Sequence, residues 1–169
     1  MENIQTPSAT DKNQVFIKMV ISNWQVQNSR FNALLDKLSD EQLAEETSPG
    51  RNTGVYLLGH MAAVHDAMLP LLGFGDQLYP ELEEVFIKNP DKSGLPKPAT
   101  SALREYWKNV SQTLDKHIGE TEAEEWFSRH NSVSEEDFAK EPHRNKLNII
   151  INRTNHLSTH MGQMIYLSK

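Results

Sequence analysis

Two histidines, His156 and His160, stand four residues apart in the segment His156-Leu-Ser-Thr-His160. On a helix that spacing projects both imidazoles from one face, with Cβ atoms about 6 Å apart, so both can reach one metal ion. His60, in Leu58-Gly59-His60-Met61, could add a third imidazole from a facing helix. A three-histidine set leaves coordination positions open for water or substrate. In that arrangement a metal acts as a Lewis acid or generates hydroxide near neutral pH. The chain has no cysteine, which excludes a thiolate-rich structural zinc site. Chance is the competing account. Seven histidines in 169 residues will sometimes fall four apart, and a single core-facing histidine is more often a hydrogen-bonded structural residue than a ligand.

The surroundings of the pair favour ligands. From 147 to 167 the only formal charge is Arg153, while isoleucine, leucine and methionine spread around the helix. A helix apolar on most sides is normally buried. Asn148, Asn152, Asn155, Gln163 and the histidines interrupt the run, which argues against a membrane span. Taking His156 as zero, His160 lies at about 40°, Asn152 at about −40° and Gln163 near −20°. The histidines thus share a narrow polar stripe, and buried imidazoles need partners that a common metal would supply. Asn152 and Gln163 are candidates to orient an imidazole or a bound water, or simply fill a polar seam. On its own helix His60 shares the core face with Tyr56, Leu57, Val64, Ala67 and Leu71, within about 60°. His65 lies about 140° away, so it and Asp66 are expected on a solvated face. His117, His130 and His143 are expected at the surface.

Ile151, Thr154, Met161 and Ile165 lie opposite the histidine stripe and need a second cover. A partner subunit would provide it, which predicts a homodimer; Trp126, Phe127 and Phe138 from the preceding connection would do the same in a monomer.

Composition sets the frame. The chain is long enough for one domain with a real core. Seventeen Lys and Arg against 23 Asp and Glu give a net charge of −6 with no dense basic run, which argues against nucleic-acid binding. Residues 1–10 lack a basic stretch followed by an apolar one, so they read as a disordered lead-in rather than a signal peptide, with the domain spanning 11–169. A cytoplasmic location is the default expectation, with which the lack of cysteine is consistent.

Apolar residues recurring at three- and four-residue steps predict long helices over about 11–38, 53–72, 100–118 and 144–167. The first stripe takes in Phe16, Met19, Val20, Trp24, Phe31, Leu34, Leu35 and Leu38. Ser39-Asp-Glu-Gln42 reads as a capping box, Thr53 as an N-cap, and Gly73 and Gly119 as helix stops. The proline-bearing connection 73–98 has room for a short helix near 81–87. Trp24, Trp107 and Trp126 read as core or loop-anchoring aromatics. With no convincing strand pair, the fold class is all-α, a helical bundle.

The segments YLLGHMAAVHD and NHLSTHMGQM, together with LSDEQL and SPGRNTGVYLLGHM, resemble the DinB-like superfamily over nearly the whole chain. The resemblance implies a four-helix bundle of up-down-down-up topology with a long crossover connection. It also implies one divalent metal ion held by His60, His156 and His160, and all three positions are filled here. Nickel or zinc is expected, because imidazole suits both. Members of the superfamily include thiol S-transferases that use low-molecular-weight thiols, an isomerase dependent on such a thiol, and metal-dependent hydrolases. The expectation for this chain is a metal-dependent thiol transferase or hydrolase acting on a small molecule, with no nucleic-acid or membrane partner. The alternative is a non-catalytic metal-binding stress protein with the same bundle.

Overall fold

A computed structural model describes residues 9–168 of the chain. Four long helices dominate: α1 (Ala9–Leu35), α3 (Gly54–Asp66), α6 (Thr100–Glu120) and α8 (Lys146–Met164). Shorter ones fill the connections: α2 (Asp40–Ala44), α4 (Met68–Leu72), α5 (Leu82–Phe86) and α7 (Glu135–Lys140). Two single-turn 3₁₀ segments cover Ala123–Phe127 and Ile165–Leu167. There is no strand among the described residues, only the isolated bridges Glu46–Thr53 and Arg129–Asn145. The chain is all-α.

The helix signals acted where the local chemistry demanded. Ser39 Oγ accepts from the Gln42 amide while Gln42 Oε1 accepts from the Ser39 amide, a reciprocal capping box. Thr53 caps α3 by accepting from the Tyr56 amide, and its own amide donates to buried Asp91, 2.6 Å away. Gly73 closes α4 in the left-handed conformation at φ 78°. Gly119, expected as a stop, lies inside α6, and Thr121 is the cap instead. A Cβ at Gly119 would meet nothing within 4 Å, so neither sterics nor packing breaks the helix there. The expected second helix is divided at Ala67 into α3 and α4. The first helix already includes Ala9 and Thr10, and the rest of the expected lead-in lies outside the described residues.

Two apolar clusters form the interior. One gathers Phe31, Leu57, Met61, Phe86, Leu103, Trp107 and Leu157; the other gathers Trp24, Met68, Leu72, Val110, Leu114, Trp126 and Ile150. On α1, Phe16 and Met19 are exposed while Ile17 turns inward, a correction to the expected stripe. Helix α1 packs along α8, and Thr154, opposite the histidine stripe, is buried. The Ala123–Phe127 turn covers α8 from another side, with Trp126 buried. Ile165 stays exposed. Much of the face that called for a second cover is therefore met within the chain.

Polar residues occur between the two clusters on three of the long helices: Asn28 on α1, His65 on α3 and Arg153 on α8. His65 and Asp66 are fully buried, a correction to the solvated face expected for them. Helix α3 is contacted by α2, α5, α6 and α8, so it is enclosed on several sides. His65 lies between Trp24, stacked at 5.0 Å, and the edge of Trp107 at 4.8 Å. Asp66 accepts from the amides of Leu78 and Tyr79, each at 2.8 Å, and so anchors the crossover connection. His130 is also buried, against expectation, with Nδ1 2.9 Å from Ser132 Oγ.

Candidate metal centre

Helix α8 tolerates its polar residues because several bond back into the helix. Asn145 Oδ1 caps the first turn, and Thr154, Ser158 and Thr159 each donate to the carbonyl one turn earlier. His156 and His160 are left to project toward α3, where His60 meets them. His156 Nε2 lies 3.3 Å from His60 Nε2 and 3.1 Å from His160 Nε2. The three candidate ligand atoms fall within 4.8 Å of one another, and all three residues are half-buried. Two helices thus supply one convergent imidazole set from residues almost a hundred positions apart.

Two of the rings have their outward nitrogens engaged. His60 Nδ1 lies 2.6 Å from the Phe86 carbonyl, which can only accept, so the proton resides on Nδ1 and the Nε2 lone pair faces inward. His160 Nδ1 is 2.9 Å from Gln163 Oε1, which fixes the same tautomer. His156 Nδ1 is buried and without a hydrogen-bond partner. Placing the His156 proton on Nε2 satisfies one neighbouring lone pair and leaves the other unmet. Placing it on Nδ1 buries an unpaired N–H and points three lone pairs at one spot. No neutral arrangement satisfies all three rings, whereas a cation at the point of convergence takes all three lone pairs. Nitrogen donors at about 2.05 Å around a tetrahedral ion lie about 3.3 Å apart, close to the spacings found here. The donor set fits a divalent ion.

Burial holds two of these rings, His156 and His60, below the usual imidazole range. Burial pushes the His156 pKa down to about 4, with the His160, His60 and Arg153 charges adding to the effect. His60 is also lowered, first by burial, with the Phe86 hydrogen bond working the other way. Arg153 belongs to no ion pair among the described residues, and its Nε is buried without a partner.

The approach of Phe86 to His60 depends on Gly59. A Cβ there would collide with the Phe86 ring. Tyr56 reinforces the contact by donating to the Asn89 carbonyl at 2.8 Å while its ring stacks on His60 at 6.1 Å. Gly59→Ala is expected to cost about 1–3 kcal/mol of stability. It should also weaken metal binding, because displacing Phe86 frees His60 to rotate. Thermal unfolding with chelator and a metal titration measure the two effects separately, and unchanged values in both would remove Gly59 from the site.

Of the expected orienting groups, Gln163 holds His160 while Asn152 does not take part. Asn152 is exposed and makes no hydrogen bond to any of the three imidazoles. The correction is one of helix sweep: at its level the stripe has turned out of the groove between α3 and α8. Phe86 carries no signal in the sequence, because its contribution is a backbone carbonyl.

A cleft of about 540 Å³ opens beside the centre, lined by Thr47, Ser48, Arg51, Asn52, Gln163 and Tyr166. The imidazoles do not line it; Gln163 links it to His160. Against known families, a profile described as the DinB superfamily matches residues 24–164. No curated protein matches the chain.

Proposed function

The chain belongs to the DinB superfamily, and on that premise we propose that it is a metal-dependent enzyme acting on a small molecule. One nickel or zinc ion would be held by His60, His156 and His160. The observation that carries this reading is the convergence of three Nε2 atoms that no protonation pattern of their own can satisfy. A divalent ion there supplies Lewis acidity, which acidifies water or a substrate thiol enough to make it a nucleophile near neutral pH. The protein's own groups do the rest. The Phe86 carbonyl and the Gln163 amide hold the Nδ1 protons on the outer side, so the Nε2 lone pairs stay directed inward. Burial, with the Arg153 charge adding to it, opposes protonation of His60 and His156.

The reaction is a thiol transfer or a hydrolysis, with a low-molecular-weight thiol as co-substrate in the first case. Screening thiol conjugation and ester or amide hydrolysis, with and without chelator, tests it. The expected result is an activity abolished by chelator and restored by the ion; activity indifferent to chelator rules the mechanism out. One observation favours the rival, a non-catalytic metal-binding stress protein: the imidazoles are half-buried and the large cleft touches them only through Gln163. Metal binding without activity across the screen would select that rival.

The reading includes a four-helix bundle of up-down-down-up topology, supported by the packing of α1 on α8, α3 on α6 and α3 on α8. It also includes a cytoplasmic homodimer. The exposed Val15, Phe16 and Met19 of α1 and Ile165 support the dimer, and light scattering at micromolar concentration tests it. A single species near the 19.3 kDa chain mass excludes it.

A further inference from the structure

We infer that the cleft between the 46–53 turn and the end of α8 binds the oxyanion of a small organic substrate, a carboxylate or a phosphate. The inference rests on the metal-centre reading only in calling that molecule a substrate; the anion site itself stands on the cleft. Ser48, Arg51, Asn52 and Tyr166 line it, and their side chains make no hydrogen bond or ion pair among the described residues. Gln163 completes the set, since its Oε1 faces His160 and its amide N–H groups remain free to donate. Arg51 brings a guanidinium fork suited to bidentate recognition of a carboxylate or phosphate.

No acidic residue lines the cleft. The nearest carboxylate in sequence, Glu46, is occupied by Lys92 and by the Gly50 amide at 2.6 Å. Within a chain of net charge −6, a donor-rich hollow with an unpaired guanidinium is a local exception that selects for negative charge. The turn carrying Arg51 is held in shape without a ligand. Thr47 donates to the Asn52 carbonyl, Arg51 to the Ser48 carbonyl, and Glu46 pairs with Thr53 across the base. The volume suits a small molecule, and Gln163 stands between its bound oxyanion and His160.

The test is an amide NMR titration of the metal-free protein with glycerol 3-phosphate and with succinate, using glycerol as the neutral control. The expected result is a saturable shift of the Arg51 and Asn52 backbone amides and of the Gln163 side-chain amide with both anions, and none with glycerol. Arg51→Gln, a substitution at an exposed turn position, should weaken binding about tenfold or more. Shifts absent from these residues, or identical in Arg51→Gln, overturn the inference. Because no metal is present, failure of the metal centre would leave this result intact, and failure here would leave metal binding intact.

Discussion

Replacing either His156 or His160 with alanine is expected to abolish stoichiometric metal binding. Wild-type protein should carry about one divalent ion per chain. Four-ligand structural zinc sites bind with apparent energies of about 10–16 kcal/mol, so one lost imidazole removes roughly 3 kcal/mol, two orders of magnitude in affinity. Gln163→Leu should fall between wild type and these variants, with a loss of about tenfold, because it releases the His160 ring without removing a donor. Elemental analysis of untagged protein and chelator competition measure all three variants. Added metal should raise the thermal midpoint of wild type and leave the alanine variants unmoved. Equal metal content in wild type and both alanine variants would sink the assignment.

The second large effect concerns His65, which lies outside the ligand set. It is fully buried, with Nδ1 2.9 Å from the Met61 carbonyl and Nε2 without a partner. Burial pushes its pKa down to about 3, the Met61 hydrogen bond opposes this, and the Arg153, His156 and His60 charges reinforce it. In the unfolded chain the same group titrates near 6.5. Between those values the unfolded state binds a proton that the native state rejects, so stability falls as pH falls through the window and is fully present above it. At pH 5 the loss from this group amounts to about 2 kcal/mol. His65→Phe keeps a ring between Trp24 and Trp107 and should flatten the dependence by that amount. Urea unfolding at pH 7 and pH 5, with chelator present, measures it. Equal pH slopes in wild type and variant would show that His65 does not set the dependence.

His65 also shows how far a helical wheel reaches. The helical angle separates His65 from His60, as their different surroundings show, but that angle does not decide exposure. Direction around an axis is a local property of the backbone, whereas burial is the sum of what every other element brings to that direction. Helix α3 has neighbours on several sides, so a residue pointing away from the metal centre points into another part of the interior. Asn152 fails in the opposite sense. It shares the angular stripe of His156, yet it is exposed, because a stripe straight along α8 leaves a groove that closes over only part of it.

Features carried by a few neighbouring residues were legible. The capping box at Ser39, the Thr53 cap, the Gly73 terminus, the three core tryptophans and the pairing of His156 with His160 all depend on spacings within one or two helical turns. The alternation of long apolar-striped segments with polar connections determined an all-α chain. The types of residue at positions 60, 156 and 160 determined that a nitrogen donor set was available. Tertiary structure decided that His60 meets the pair with its Nε2 3.3 Å from that of His156, and that the Phe86 carbonyl fixes its tautomer. It also decided that Arg51 shares a cleft with Gln163. These are long-range juxtapositions, one of them made by a backbone carbonyl that every residue possesses. A pattern of side-chain types carries periodicity along one helix, but the distance between two helices is set by what packs between them, as the bare Cα of Gly59 does for Phe86.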